Sequence, residues 1–303
     1  MAIERPPTID PVAAARWQRR APAASPWLHE EVARRMADRL EWIRRAPEAW
    51  ADWQPVRGGM EGHRLVAERY PQARCRVVEP QAQHAEVAKA ALGRGWWEKL
   101  RRPAVEFGPV PDGSVQMLWS NMLLHVAADP QALFQAWHRA LAVEGFVMFS
   151  ALGPDTVREL RTLYAALDWP PPSHDYTDMH DWGDMLVHGG FAEPVMDMER
   201  ITLTFETPER LLAELRELGA NLHPARFAAL RGRTWRDRLH AALARELRSE
   251  DGRLALTFEV VYGHALKPPP RLKVQGEAAL SVDDFRSLVR SGGRPSAGAT
   301  MRG

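Results

Sequence analysis

One cysteine, Cys75, stands in 303 residues, which excludes an internal disulfide and any cysteine-based metal centre built from this chain alone. Lysine is nearly absent, with four residues against 36 arginines, a bias that with the abundant alanine reflects nucleotide composition rather than function. Neither sign of charge prevails: Lys plus Arg is 40 and Asp plus Glu is 39, so no broad field favours nucleic acid or an anionic membrane as partner. No apolar run approaches the roughly 18 residues of a spanning helix. The first 26 residues have no hydrophobic signal core and are rich in Arg, Ala and Pro, so the cytoplasm is the expected location. No metal site is expected.

A regular glycine motif is missing as well. The stretch WQPVRGGMEGH, residues 53–63, lies where an α/β nucleotide-binding protein carries its first glycine-rich turn. Gly58, Gly59 and Gly62 are present, but not spaced as G-x-G-x-x-G, and no acid closes a hydrophobic strand before them.

What is present is an alternation of strand and helix. From Ser25-Pro26 a helix is expected with Leu28, Val32, Met36, Leu40 and Ile43 on one face, ended by Pro47. A second helix is expected from about Gly59 to Pro71. A short buried strand follows, Cys75 to Glu79, then a helix closed by Gly93. AVEF and VQMLWS are candidate strands, PQALFQAWHRALA an amphipathic helix, and FVMFSA a strand apolar enough to be covered on both faces. GPDTVRELRTLYAAL returns to helix with Asp155 near its start. This rhythm implies a mostly parallel sheet with helices on both sides. Further on, PVMDMERITLTFE and RLALTFEVVYGHALK are extended segments separated by helices, which implies a closing antiparallel pair. The expected organisation is a flexible arm over 1–26, a domain over 27–267 with a helical insertion at about 208–250, and a disordered tail over 268–303.

Open parallel sheets bind ligands at the carboxyl ends of their strands. Glu79 stands there, about 20 residues past the first turn, where an acid takes the hydroxyls of a ribose or is simply a surface carboxylate at a strand end. Asn121, after VQMLWS, either offers its amide to a ligand or caps the next turn. His125 is either packed at the rim or catalytic. Asp112-Gly113 is a turn before the strand, near where an adenine would be held.

Taken together, VVEP, VQMLWSNMLLHVAADPQALFQAWHRAL, GFVMFSALGPDTVRELR, DMHDWGDMLVHGGFAEPVMD and LTFEVVYGHALKP resemble the malonyl-acyl-carrier-protein O-methyltransferases of biotin synthesis. These are class I S-adenosylmethionine (SAM) methyltransferases, and the resemblance spans about residues 10–267. It implies a Rossmann-like, seven-stranded, mostly parallel sheet with its last strand antiparallel. It also implies methyl transfer from SAM to the free carboxylate of a malonyl thioester, with acyl carrier protein as partner. The cofactor-binding residues it implies are Gly58, Gly59, Glu79, Pro80, Ser120 and Asn121. A carboxylate is already an anion near neutral pH, so no general base is required. Arginine is the best fork for the acceptor carboxylate, and Arg158, Arg161 and Arg200 are the candidates. Arg158 and Arg161 equally suit a solvated helix face. His180 and Asp181 either line the pocket or make local helix-start contacts.

The sequence departs from the family at the turn. Gln54, Val56, Gly58 and Met60 stand where an acid and three glycines belong. In the arm, Trp17 and Trp27 replace an aromatic near Ala24-Ser25. Two readings follow: a working methyltransferase with a remodelled turn, or a methyltransferase-fold protein that has lost SAM and serves as a protein-binding or assembly factor. Trp96-Trp97 beside EKLRR also admits single-stranded nucleic acid, which the charge balance disfavours. Arg94, Lys99, Arg101 and Arg102 form a candidate docking patch for an acidic carrier protein.

Overall fold

Period-two alternation along the central strands sorts the core into two layers. On β4 (Val115–Ser120), Met117 and Trp119 join one apolar cluster and Leu118 the other. On β5 (Leu141–Leu152), Phe146 and Met148 oppose Val147 and Phe149 in the same way. Burial on both faces is what a parallel sheet flanked by helices demands.

The computed structural model describes residues 9–93 and 103–270. The remaining strands are β1 (Ala49–Trp53), β2 (Arg74–Val78), β3 (Glu106–Phe107), β6 (Ala192–Phe205) and β7 (Leu254–Leu266). Their order in the sheet is β3-β2-β1-β4-β5-β7-β6. β1 to β5 run parallel, and β7 is antiparallel to both β5 and β6. The expected Rossmann-like sheet with an antiparallel closing strand is therefore present.

One layer is built from α2 (Trp27–Asp38), α4 (Met60–Arg69), α5 (Ala82–Leu92), α7 (Arg158–Ala166), α9 (Pro208–Leu218) and α10 (Arg233–Glu246). The other holds α6 (Pro130–Ala140) and α8 (Met179–His188). There Phe134 meets the rings of Trp137, Phe149, Trp182 and Phe191 at centroid distances of 5.5–6.4 Å. Each such fully buried side chain stabilises the fold by about 1.5–3 kcal/mol. α9 and α10 fall between β6 and β7, inside the stretch expected as an insertion.

Three expectations change. The arm over 1–26 contains α1 (Pro11–Arg20), whose cap Asp10 accepts from the N–H groups of Val12 at 2.8 Å and Ala13 at 3.1 Å. Ala13 and Ala14 bury against Leu222, so this part of the arm is docked. The helix expected to run to Pro47 ends at Asp38 and tightens into a 3₁₀ turn, Arg39–Trp42. The segment AWADW, which has no β-branched residue, forms β1 with its two tryptophans and pairing on both sides. The helix after GPDT begins at Arg158, behind Val157 at φ 48°. The Trp96-Trp97 loop, the patch of Arg94, Lys99, Arg101 and Arg102, and the tail beyond residue 270 lie outside the described residues.

Candidate functional site

β1 ends in a turn made of side chains and backbone that the chain itself occupies. Gln54 adopts φ 63°, and its N–H donates to Val78 O at 2.9 Å. Pro55 then opens α3 (Pro55–Gly58), a single helical turn. The Val56 N–H donates to Glu79 Oε1 at 2.8 Å, which ties the turn to the end of β2. Gly58 is required by close approach: a Cβ there would stand 2.9 Å from the backbone oxygen of Asn121. Gly59 is required by its φ of 129°, and a Cβ there would meet Glu30 Oε2 at 2.9 Å.

Glu30, on α2, closes the N-terminus of α4. Its two oxygens accept from the N–H groups of Met60 and Glu61, each at 3.0 Å. Ser25 donates to the same carboxylate. The positive end of α4, a ready anion site in general, thus already holds an anion of this chain.

An acid does close the first strand, contrary to the sequence reading. Asp52 is the penultimate residue of β1, 2% exposed, and its Oδ2 lies 2.8 Å from His63 Nδ1 on α4. It shares the face of Trp50, so it is spent beneath α4 rather than at the turn. Burial raises its carboxyl above the usual range, with His63 acting against that.

A cavity of about 40 Å³ lies over the carboxyl ends of β1, β2 and β4. Gly58, Pro80 and Asn121 line it, as the sequence expected, with Arg57, His29 and His84. Glu79 stands beside it with its side chain 2% exposed, and its Oε2 has no hydrogen-bond partner. Burial pushes the Glu79 carboxyl up to about 7, against the Val56 N–H and with help from Asp52. Asn121 neither caps a helix nor stands free: its amide donates to the carbonyls of Gly58 and, at 2.8 Å, His29, and its Oδ1 accepts from Ser150 Oγ at 2.5 Å. Gly59 packs on Glu30 instead of the cavity, and Ser120 is fully buried with its Oγ unpartnered.

His29 and Arg57 are among the cavity residues that were missed. His29 Nδ1 lies 2.7 Å from Arg57 O. A carbonyl only accepts, so Nδ1 carries the hydrogen. Burial holds His29 down to about 3, so the ring is neutral and Nε2 is a buried lone pair without a donor. The half-buried Arg57 reaches across the cavity mouth. It donates to the carbonyls of Ala24 at 2.6 Å, Glu217 at 2.8 Å and Leu218 at 3.3 Å. Its carbon lies 5.6 Å from the Trp17 ring. Burial pulls its guanidinium down to about 10, with Glu217 opposing from a distance. Trp17, Gln18 and Ala21 cover the cavity, and His84 Nε2 lies 3.1 Å from Ala21 O. Of the two arm tryptophans, Trp17 is at the site, while Trp27 is 58% exposed away from this cavity. The only sequence signal for Arg57 was its place inside the turn.

A second cavity, about 100 Å³, lies beyond the end of β5. Leu152, Val157, Leu160, Tyr176 and Phe258 give it apolar walls, and His125, Val126 and Leu218 belong to both cavities. His125 is buried and not at the rim. Its Nδ1 accepts from the Leu152 N–H at 3.3 Å, and burial first, then His29, holds it well below the usual histidine range. A neutral His125 with Nδ1 accepting presents Nε2–H as a donor.

The three arginines expected to hold a carboxylate lie elsewhere. Arg158 faces Asp155 at 3.5 Å and Glu159 at 3.4 Å. Arg200 pairs with Asp155 at 2.7 Å and Glu259 at 3.4 Å. Arg161 donates to Pro154 O. None of them lines either cavity. His180 and Asp181 are exposed, and their backbone N–H groups donate to the cap Asp178. Asp112-Gly113 is a turn before β4, with Gly113 at φ 65°.

Among the described residues, no cluster of His, Cys, Asp and Glu is arranged to hold a metal, and no helix is long and apolar enough to cross a membrane.

A methyltransferase-domain family profile matches residues 58–149, beginning inside the rebuilt turn. The chain is 40% identical to the malonyl-acyl-carrier-protein O-methyltransferase of Gallionella capsiferriformans, over 86% of this chain and 90% of that one. It is also 40% identical to the enzyme of the same name from Laribacter hongkongensis, over 86% and 88%. The solved YcgJ protein from Bacillus subtilis has the same fold, with TM-score 0.53 and 15% identity over 79% of this chain and 99% of that one. The chain belongs to the malonyl-acyl-carrier-protein O-methyltransferase family.

Proposed function

We propose that this member of the family transfers the methyl group of SAM to the free carboxylate of a malonyl thioester carried on acyl carrier protein, in biotin synthesis. The observation that carries the reading is the common wall of His125, Val126 and Leu218, where a cavity at the ends of β1, β2 and β4 adjoins a second one beyond β5. Cofactor and acceptor meet across such a wall. The relatives' names supply the acceptor class, and they lend no support to a scaffold that has lost methyl transfer.

The donor set suits SAM in chemistry. Glu79 Oε2 is a buried acceptor placed for ribose hydroxyls at the end of β2, and His29 Nε2 is a second unpaired acceptor. The enclosed space is smaller than the cofactor needs. Pockets for ligands of that class measure about 300–1,000 Å³, whereas this one is about 40 Å³. Entry therefore requires Arg57 or the covering residues Trp17–Ala24 to give way.

When bound, SAM supplies an electrophilic methyl on a sulfonium. The acceptor carboxylate is ionised near neutral pH and needs no base. The chain's task is alignment and exclusion of water, and alignment alone is worth up to about 7–11 kcal/mol. His125, a residue of the common wall whose Nδ1 accepts from Leu152, offers Nε2–H as the donor that would orient an acceptor oxygen. The apolar walls around Leu160, Tyr176 and Phe258 take the acyl arm.

The test is transfer of labelled methyl to malonyl-acyl carrier protein and to malonyl-coenzyme A, with the product read by mass. A methyl ester on malonyl but not on acetyl thioester is the expected result. Unlabelled product with both thioesters, from protein that binds SAM, would remove the malonyl assignment. Absence of SAM binding itself would return the scaffold reading.

A further inference from the structure

A free amino acid end carries one carboxylate and one ammonium, and a site that holds it needs one cation and one acceptor. The two usual providers are engaged here. The N-terminus of α4 is closed by Glu30, and the residue after β1 is Gln54, with the strand's acid, Asp52, committed to His63. Arg57 and His29 remain, joined through the Arg57 carbonyl.

Arg57 is a cation served only by neutral oxygens. Among the described residues no carboxylate lies within ion-pair distance of it, and its recorded acceptors are three carbonyls. Two of its five N–H donors take no part in those bonds. A carboxylate exchanges weak neutral acceptors for charge-assisted ones, and that exchange favours binding. His29 offers the complementary group, a lone pair buried at the cavity with no donor. An unpaired buried acceptor is costly, so a donor arriving with the ligand relieves it.

We infer that Arg57 and His29 together clamp the amino acid end of SAM, Arg57 taking the carboxylate and His29 Nε2 accepting from the ammonium. The inference rests on the cofactor named in the preceding proposal. The carboxylate in question is the cofactor's, and is distinct from the acceptor carboxylate for which Arg158, Arg161 and Arg200 were the candidates. Arg57 has a second role while no ligand is held: its bonds to Ala24 and Leu218 draw the covering segment and the end of α9 together.

Calorimetry with two ligands separates the possibilities. S-adenosylhomocysteine has the amino acid end, and 5′-methylthioadenosine has the same adenosine and thioether without it. Wild-type protein is expected to prefer S-adenosylhomocysteine. Arg57→Met is expected to weaken S-adenosylhomocysteine by about tenfold or more while leaving methylthioadenosine within about twofold, since a hydrogen bond to a charged group is worth about 1.5–3 kcal/mol. Arg57→Lys should fall between, and His29→Phe should repeat the pattern more weakly. Equal weakening of both ligands would overturn the clamp in favour of a structural role. Unchanged binding with a raised KM for the malonyl thioester would reassign Arg57 to the acceptor. Wild-type protein that binds both ligands equally overturns the clamp and spares the cofactor. Protein that binds neither overturns both. Thermal melts of each variant show whether it folds, and the wild-type comparison stands without any variant.

Discussion

The two halves of the cleft are built on opposite plans. The cofactor half is small, polar and already filled by the chain's own charges: Glu30 on the helix end, Arg57 across the mouth, Asn121 between turn and sheet. The acceptor half, about 100 Å³, sets the apolar walls of Leu152, Leu160, Tyr176 and Phe258 beside Ser173, His174 and Asn221. A ligand entering the first half must replace hydrogen bonds that already exist, so its affinity is a difference between two sets of polar contacts. A ligand entering the second half removes apolar surface from water at Leu152, Leu160 and Phe258, where no charge of the chain has to be displaced. The first half should therefore respond sharply to single atoms, and the second should tolerate changes of shape.

The largest effect is expected at Gly58. In Gly58→Ala the new Cβ would meet the Asn121 oxygen at 2.9 Å, and both partners are backbone. Overpacking of this kind costs about 1–3 kcal/mol. Chemical denaturation should show that loss, and calorimetry should show loss of S-adenosylhomocysteine binding with it. A neutral result would mean that the turn is looser than the cofactor half requires.

Next comes Glu79→Gln, expected to weaken S-adenosylhomocysteine and methylthioadenosine alike, by about tenfold, since it puts an amide donor in place of an acceptor oxygen that both ligands share. The contrast with Arg57→Met separates the two ends of the cofactor half. The same residue gives a pH signature. Its folded pKa, about 7, lies above the ordinary value of 4.5. Its contribution to stability is thus fully present below about 4.5 and lost as pH rises through 7. The melting temperature of wild type minus that of Glu79→Gln should fall across this window, and a flat difference would contradict the burial of the carboxylate.

A smaller change is expected in the acceptor half. Tyr176→Ala should raise KM for the malonyl thioester by about fivefold, in line with the modest discrimination of apolar pockets, and leave S-adenosylhomocysteine affinity unaltered. If cofactor affinity falls as well, the two halves are coupled and the contrast fails. Smallest of all should be Arg158→Gln, whose partners Asp155 and Glu159 are partly exposed. Exposed pairs are worth about 0–1 kcal/mol, so KM and stability should move by less than about twofold and 1 kcal/mol.

The fold was largely legible because its strongest elements are locally consistent. VQMLWS and FVMFSA are apolar on both faces and could only be central strands, and the helices between them carry their own periodicity. β1 was legible only from its place before the turn, because AWADW has no β-branched run and owes its extended form to β2 and β4 on either side. Asp52 was hidden with it. At the cavity, Gly58, Pro80 and Asn121, with Glu79 beside it, were anticipated because strand ends in a parallel sheet are ligand positions whatever the residue. Arg57 and His29 were not found, because what marks them is the absence of a charged or donating partner, and an absence of contact has no local pattern.

Sequence alone therefore determined the sheet, the family and the strand-end positions, since hydrophobic period and motif spacing are properties of neighbouring residues. Tertiary structure decided how the cofactor turn is filled. Arg57 finds Ala24 and Leu218 from 33 and 161 residues away, Glu30 reaches α4 from another helix, and burial then removes water as the competing partner for each of these groups. That loss of water turns an arginine and a histidine of ordinary sequence context into a cation and a lone pair that still lack charged or donating partners.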